Sequence, residues 1–278
     1  MALEAIRSCF YIDDILTGCD NLADAKNLIV DLSEIFKEYG FHLRKWCSNN
    51  NMLLENIVEE DREVKWDPQC NQNIIKTLGL IWNSTTDAFQ ISTKRYVNVD
   101  QRKLTKRIIA SESGSIFDPL GLVMPCVVVA KLILQELWQL KIDWDETLPE
   151  EISKKWLDFS AQIHILDTIT IQRHVVIENF AKIDIHGFCD ASEKAYAAVI
   201  YLRNGTNIKI LIAKTKVAPL KKISLPRLEL NAAVLLARLM KHIIHVYSFP
   251  QSSQYFWSDS MITLAWIKDS PLKYNLYR

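Results

Sequence analysis

The most constraining feature of this chain is the succession of patterns in its C-terminal part. Residues 183–189 alternate as a half-buried strand does. Two further strand patterns, at residues 197–202 and 208–214, are joined through Asn204-Gly205, a strong hairpin signal. A long amphipathic helix over residues 225–247, with Pro226 near its first turn, precedes a short apolar strand at 255–257 and a helix at 261–268. This order predicts an α/β unit, with a domain boundary near residues 165–182.

The preceding residues predict a mixture of helices and strands. Two short strands flank Ile12-Asp13-Asp14, and a helix over residues 22–39 follows, with Asp20 or Asn21 as its cap and Gly40 just past its end. Strands are predicted at residues 41–46 and 77–82, with residues 87–91 as the hairpin partner of the latter. A polar, irregular stretch with one short helix covers residues 49–73. Residues 98–156 read as helical, interrupted at Asp118-Pro119 and Pro125, so the predicted fold class is α+β.

Composition limits the function classes. Acidic and basic residues balance at 33 each, which argues mildly against a generally basic nucleic-acid binder and leaves that role to local patches. The six cysteines form no CxxC pair, which favours free thiols over a zinc site. The start of the chain lacks the apolar core of a signal peptide, and the most apolar stretch, residues 120–140, is too polar to span a membrane. We therefore expect an intracellular, cytoplasmic protein that is neither secreted nor membrane-bound.

The first candidate for chemistry is Tyr11-Ile12-Asp13-Asp14, at the tip of the predicted hairpin. Burying two adjacent carboxylates without a partner is costly because their charges repel. A hard divalent cation such as Mg²⁺ is the usual partner for such oxygens. The alternative is a pair of solvated turn aspartates. The apolar strands on both sides favour the metal interpretation.

The second candidate is a set of three carboxylates: Asp190 at a strand end, Glu229 in the first turn of a helix, and Asp259 at another strand end. Strand ends at one edge of an α/β sheet are where such sheets place their sites. Two metals about 4 Å apart, held by such a cluster, support phosphodiester cleavage. The alternative makes Asp190 and Asp259 helix caps and Glu229 a favourable charge at a helix N-terminus. Taken together, the three favour a metal site.

Basic residues cluster in two places, and these are candidate phosphate contacts: Lys94, Arg95, Arg102, Lys103, Lys106 and Arg107, and then Lys214, Lys216 and Arg227. The alternative for such runs is a solvated helix face. Trp138, Trp144 and Trp156 lie among apolar residues, and we predict that they belong to the core instead of stacking on bases.

These motifs resemble those of one family. Tyr11-Ile-Asp-Asp14 resembles the YxDD box of reverse transcriptases, and Leu78-Gly79 the short strand that grips the primer end. Three further motifs resemble successive ribonuclease H boxes: Phe188-Cys-Asp-Ala-Ser192, Pro226-Arg-Leu-Glu-Leu230 and Trp257-Ser-Asp-Ser260. With Gly40-Phe-His-Leu-Arg-Lys-Trp46 and Ser115-Ile-Phe-Asp-Pro-Leu-Gly121, the set resembles Bel/Pao-type LTR retrotransposon Pol polyproteins over essentially the whole chain.

The resemblance implies a reverse transcriptase palm and thumb remnant (residues 1–110), a helical connection (111–180) and a ribonuclease H-like α/β domain truncated at its C-terminus (181–278). It implies Mg²⁺ or Mn²⁺ at Asp13 and Asp14 and again at Asp190, Glu229 and Asp259. The implied partners are an RNA–DNA hybrid or primed template and other segments of the Pol polyprotein.

The chain departs from the family pattern in two places. A third polymerase aspartate would lie before Met1, and a fourth nuclease carboxylate would lie after Arg278. We therefore expect little or no catalysis by the chain alone. A non-catalytic nucleic-acid-binding remnant is the first alternative. The second is an aspartic-type peptidase, as the family name Pao retrotransposon peptidase implies, although neither Asp190-Ala-Ser nor Asp259-Ser-Met is the Asp-Thr/Ser-Gly turn of such enzymes.

Overall fold

The computed structural model describes residues 1–63, 74–77, 80–93, 103–175, 183–247 and 253–269. It divides the chain into two compact units, Met1–Ala88 and Phe89–Arg278. Helices and sheets are mixed in the way that the sequence predicts, so the α+β class is confirmed. No helix among the described residues is long and apolar enough to cross a bilayer.

The first unit begins with a helix, a hairpin and a long helix. Its elements are α1 (Ala2–Ser8), β1 (Phe10–Tyr11), β2 (Asp14–Ile15), α2 (Leu22–Glu38), β3 (Ile74–Thr77) and β4 (Leu80–Asn83). The side chain of Asn21 accepts a hydrogen bond from the Asp24 amide at 2.9 Å, so Asn21 is the cap of α2. Gly40 follows the helix with a φ of +79°, the left-handed conformation that glycine adopts without steric cost. The predicted hairpin and helix are confirmed.

Two predicted strands of the first unit are wrong. Residues 41–46 form no strand; an isolated bridge pairs Trp46 with Arg62, and His42 Nε2 lies 2.8 Å from both carboxylate oxygens of Asp61. This segment is therefore fixed by side-chain and bridge contacts instead of a ladder. Residues 77–82 are not one strand, because β3 ends at Thr77 and pairs antiparallel with β4. The predicted polar loop holds two short 3₁₀ helices, Asn51–Leu53 and Glu59–Asp61, where one helix was expected.

Three helices build the first half of the second unit. Its elements there are α3 (Lys106–Ser115), α4 (Met124–Gln139), α5 (Glu150–Ile163) and β6 (Thr170–Gln172), and β5 (Ala88–Gln90) lies at the division between the units. Pro125 lies in the first turn of α4, where its missing N–H costs nothing, so it starts a helix and does not interrupt one. Trp156 is fully buried in the core of these helices and donates from Nε1 to Glu112 Oε2 at 3.1 Å.

The prediction that all three tryptophans belong to the core is wrong for two of them. Trp138 is 53% exposed and Trp144 is 42% exposed. Their rings meet edge to face with centroids 5.4 Å apart. The ammonium of Lys106 lies 3.7 Å from the centroid of the Trp138 ring, so the pair forms a surface cation–π cluster.

A four-stranded sheet forms the rest of the second unit. Its elements are β7 (Ile183–Ala191), β8 (Ala195–Asn204), β9 (Asn207–Val217), α6 (Leu225–Tyr247), β10 (Ser253–Trp257) and α7 (Met261–Lys268). The strand order is β10-β7-β8-β9, with β7, β8 and β9 antiparallel and β10 parallel to β7. Every element predicted for this part is confirmed. Helix α6 packs so closely on one face that a Cβ at Gly187 would lie 2.5 Å from Leu236 Cδ1.

The turn that precedes α4 ties the helices to this sheet. Both carboxylate oxygens of Asp118 accept backbone hydrogen bonds, from Leu122 at 2.8 Å and Val123 at 2.9 Å. The amide of Ala213 in β9 donates to the Leu120 carbonyl at 2.8 Å. The residues Asp118-Pro-Leu-Gly121 therefore have a structural task, which is to dock the start of α4 against strand β9.

Candidate metal centre

The register of two parallel strands sets the position of Asp190 and Asp259, the two predicted nuclease aspartates. Phe188 of β7 pairs with Trp257 of β10. Asp190 and Asp259 each lie two residues beyond these paired positions, so both are at the same edge of the sheet. They line one open pocket, together with Ser258. The predicted meeting of these two carboxylates at one sheet edge is thus explained by parallel pairing.

The pKa of the Cys189 thiol is affected by the charged groups around this pocket. Its side chain is 8% exposed, and Sγ lies 3.5 Å from the Trp257 carbonyl, to which it donates. Burial raises the pKa of the Cys189 thiol, and the negative charges of Asp190 and Asp259 raise it further, against a lowering hydrogen bond with Ser258. Both carboxylates therefore act electrostatically on the same buried sulfur.

Glu229 reaches the segment that carries Asp259. Its Oε2 accepts a hydrogen bond from Ser260 Oγ, and Ser260 directly follows Asp259. Ser260 is 7% exposed and is the cap of α7, since its Oγ accepts from the Thr263 amide at 3.2 Å. All three predicted nuclease carboxylates thus belong to one region of the second unit.

The structure contradicts the alternative in which Asp190 and Asp259 are helix caps and Glu229 lies in the first turn of a helix. Asp190 lies within strand β7, where its Oδ1 accepts from the Ala191 amide at 2.7 Å, and β8 follows it instead of a helix. Ser260, not Asp259, caps α7. Glu229 lies beyond the first turn of α6, which begins at Leu225, so its placement in the first turn is wrong.

The donor set fits a hard divalent cation, because carboxylate oxygens are the ligands that Mg²⁺ prefers. Among the described residues, no three side chains of the His, Cys, Asp and Glu types are placed to hold one ion together. A metal site that Asp190, Glu229 and Asp259 share stays a prediction.

The hairpin with the other two aspartates is tight. Phe10 pairs with Ile15 and Tyr11 with Asp14, which leaves Ile12 and Asp13 as the turn. Ile12 has a φ of +55°, a left-handed conformation that is unfavourable for a β-branched residue. Asp13 is exposed and Asp14 half-buried. The hairpin is as predicted, and the role of its carboxylates as metal ligands remains a hypothesis.

The predicted basic contacts differ in accessibility. Lys94, Arg95 and Arg102 lie outside the described residues, as do Leu78 and Gly79. Lys103, Lys214, Lys216 and Arg227 are exposed.

Lys106 and Arg107 already have partners. Lys106 is only 5% exposed, beneath the Trp138 ring. Arg107 makes two hydrogen bonds to Asp145, at 2.7 and 2.8 Å, and they lower the pKa of that carboxyl. A phosphate could reach Arg107 only in competition with Asp145.

Sequence reasoning missed one residue at this site, Ser260. Its position before an apolar helix predicts a cap. No local pattern indicates that its hydroxyl bonds a carboxylate 31 residues away in α6.

Comparisons with solved structures identify proteins of similar fold. A foamy viral protease–reverse transcriptase in complex with double-stranded DNA matches 98% of this chain and 43% of its own length, with a TM-score of 0.54 and 13% identity. Two further foamy viral protease–reverse transcriptase structures also match. One, with an RNA/DNA hybrid, has a TM-score of 0.42 at 12% identity, covering 72% of this chain and 25% of its own. The other, with double-stranded DNA, has a TM-score of 0.43 at 14% identity, covering 69% and 38%.

The chain thus spans less than half the length of the first of these neighbours, which at this identity shows the fold alone. No curated protein matches the chain.

A family model agrees with the motifs. The model described as a Pao retrotransposon-like RNaseH-like domain matches residues 105–260, more than half of the chain. The match includes the Asp118–Gly121 turn, strands β7 to β10 and all three predicted nuclease carboxylates. The resemblance to Bel/Pao-type Pol polyproteins is therefore confirmed, and the chain belongs to the Pao retrotransposon RNaseH-like family.

Proposed function

We propose that this chain is the part of a retrotransposon Pol polyprotein that binds an RNA–DNA hybrid and contributes a divalent-metal site to hydrolysis of its RNA strand. Asp190, Glu229 and Asp259 would hold Mg²⁺ or Mn²⁺. The observation that carries the proposal is the parallel register of β7 and β10, which brings Asp190 and Asp259 to one pocket. The hydrogen bond from Ser260 to Glu229 supports the third ligand.

Strand pairing within the chain would hold Asp190 and Asp259 rigidly in place. Asp190 is held by the ladder between β7 and β8, where it pairs with Ala197, and Asp259 lies two residues after the end of β10. Sites on strands are held more tightly than sites on loops. Bound divalent cations would activate water and stabilise the leaving oxygen of a phosphodiester. A fourth carboxylate from elsewhere in the polyprotein would complete the site, so we expect at most trace cleavage by the chain alone.

Three exposed cations of the second unit support a nucleic-acid partner. Lys214 and Lys216 alternate with Thr215 along β9 and so share one face of the sheet. Their neighbours on this face include Ile212, which packs against the core beneath α6. Arg227 is exposed two residues before Glu229. These three would contact phosphates, position the duplex and read no sequence.

The second basic cluster, Lys94 to Arg107, would extend the same duplex contact. Because Asp145 occupies Arg107, replacing Asp145 with Asn should free the guanidinium and strengthen hybrid binding at low salt. Neutralising the exposed Lys103 and Arg107 should flatten the dependence of affinity on salt. An unchanged salt slope would assign these residues to a solvated face.

In the first unit, Asp13 and Asp14 would hold polymerase metals in the parent protein. Two aspartates on one hairpin cannot by themselves position a nucleoside triphosphate against a primer end, and positioning is most of the catalysis of phosphoryl transfer. Other segments of the Pol polyprotein would have to supply the remaining parts. We therefore expect no primer extension by this chain.

The test gives the purified chain a labelled RNA–DNA hybrid and, separately, a primed template with nucleotides. We expect trace Mn²⁺-dependent cleavage that Asp190→Asn and Asp259→Asn abolish. Asp184→Asn, on the same strand but far from the pocket, is the matched control and should keep that activity. Robust primer extension would mean that the chain is a different part of a polymerase.

One observation favours a second candidate, a non-catalytic nucleic-acid-binding remnant. No three ligand-type side chains converge among the described residues. For this candidate the hybrid would bind with the same salt dependence, but no metal-dependent cleavage would appear even when the missing polyprotein segments are supplied.

A further inference from the structure

We infer that Ser260 is a positioning residue of the proposed nuclease site: its hydroxyl orients the carboxylate of Glu229, and it does so while it caps helix α7. This inference rests on the proposed function. It concerns a hydrogen bond between two elements, α6 and the start of α7, that are distant in sequence.

The hydrogen-bonding capacity of Ser260 is completely used. Its Oγ accepts from the Thr263 amide at 3.2 Å and lies 3.0 Å from Thr263 Oγ1. A hydroxyl carries one hydrogen, and an ionised carboxylate can only accept. The hydrogen of Ser260 is therefore directed to Glu229 Oε2, and the Thr263 hydroxyl donates within the serine–threonine pair.

Burial makes this arrangement rigid. Ser260 is 7% exposed and Thr263 is fully buried. Hydrogen bonds to a charged partner in such surroundings are stronger than those between neutral groups in water. The cap fixes Ser260 to the backbone of α7, and Ser260 in turn fixes one oxygen of Glu229. Within the described residues, Glu229 Oε1 has no hydrogen-bond partner, so it is the oxygen left for a cation.

Glu229 needs such a partner more than the aspartates do. Asp190 and Asp259 have short side chains at the ends of paired strands, whereas Glu229 reaches the site from a helix through a longer and more flexible side chain. Groups that orient a metal ligand typically change metal affinity by about 10–100-fold when they are removed. We expect a loss at the lower end of that range, since one hydrogen bond is removed.

The main variant is Ser260→Gly, because glycine is a good helix cap that lacks the hydroxyl. Thr105→Gly is the matched control: Thr105 caps α3 in the same compact unit, where its Oγ1 accepts from the Ile108 amide at 3.3 Å, and it lies far from the carboxylates in sequence. Ser260→Thr restores a hydroxyl. The measurement is Mn²⁺ affinity of the whole chain by electron paramagnetic resonance of free Mn²⁺, with thermal unfolding measured alongside.

We expect Ser260→Gly to weaken Mn²⁺ binding about tenfold, with a loss of unfolding temperature no larger than that of Thr105→Gly. Ser260→Thr should bind within about twofold of the wild type. In a Glu229→Gln background, Ser260→Gly should have no further effect, because it acts through the glutamate. If Ser260→Gly fails to fold, Ser260→Ala in the same two backgrounds replaces it.

Wild-type affinity in Ser260→Gly, or additive losses in the double variant, would overturn the inference and leave the proposed function intact. Failure of the proposed function has a different signature, which is equal Mn²⁺ binding by the wild type, Asp190→Asn and Asp259→Asn.

Discussion

The docking of α4 against β9 depends on the absence of a side chain at Gly121. This residue has a φ of +73°, and a Cβ there would lie 1.9 Å from the Ala213 carbonyl oxygen and 2.6 Å from the Ala213 carbonyl carbon. Both atoms belong to the backbone of β9 and cannot rotate away. Gly121→Ala must therefore push the turn off the strand and break the hydrogen bond from the Ala213 amide to the Leu120 carbonyl.

The cost has two sources. The left-handed conformation costs a non-glycine residue roughly 1–2 kcal/mol. A backbone hydrogen bond lost with its groups still partly buried costs about 1–3 kcal/mol. The reduced freedom of the unfolded chain returns about 0.4–1 kcal/mol. We expect Gly121→Ala to lower the free energy of unfolding by roughly 2–4 kcal/mol, measured by urea denaturation of the chain followed by circular dichroism.

Two other glycines of the second unit allow the cost of the left-handed conformation to be measured apart from the cost of the close approach to β9. Gly205 has a φ of +59° but nothing within 4 Å of a Cβ, so Gly205→Ala should show the conformational strain alone. Gly114 has neither feature and lies within α3, so Gly114→Ala should stabilise the unit by about 0.5–1 kcal/mol. If Gly121→Ala costs no more than Gly205→Ala, the close approach to β9 does not hold the turn in place.

Three further changes test other parts of the chain. Ile12→Asn should stabilise the hairpin by about 1 kcal/mol, because asparagine tolerates a positive φ. Slower amide hydrogen exchange at Leu16, whose N–H donates to the Cys9 carbonyl at 3.0 Å, would support this, and faster exchange would refute it. Burial raises the pKa of the Cys47 thiol from 9.0 to about 11, so its contribution to stability is complete below pH 9 and is lost as the pH rises toward 11. At pH 9, alkylation of Cys47 followed by mass spectrometry should be about fiftyfold slower in the folded chain than in urea, and equal rates would contradict its burial. Trp156→Phe removes a buried donor to Glu112 and should cost about 1–3 kcal/mol, whereas Trp138→Phe at the surface should cost less than about 1 kcal/mol; urea denaturation of both variants decides, and equal costs would contradict the assignment of Trp138 to the surface.

The elements of the C-terminal sheet could be predicted because each has a local signal. Period-two alternation marks β7, the Asn204-Gly205 pair marks the turn between β8 and β9, and a single apolar stripe marks α6. Local signals failed where the outcome depends on distant partners. Residues 41–46 have the composition of a strand, but a strand forms only where another strand offers a ladder, and there only an isolated bridge forms.

The tryptophans show the same limit. Trp138 and Trp156 both lie in apolar helical sequences, yet one is 53% exposed and the other fully buried. The difference is decided by which face of each helix meets the core, and by the buried Lys106 of another helix, over which the Trp138 ring lies. Neither relation is encoded within the span of one helix.

The candidate site divides in the same way. The sequence alone identified Asp190, Glu229 and Asp259, because these residue types follow strand and helix signals in a specific order. Only the tertiary structure decided that β10 lies beside β7 and in parallel, which brings the two aspartates together, and that Ser260 holds Glu229. The physical reason is that local propensity acts over a few residues, whereas strand pairing and a buried hydrogen bond join groups far apart in the chain, and these form only when the whole sheet assembles.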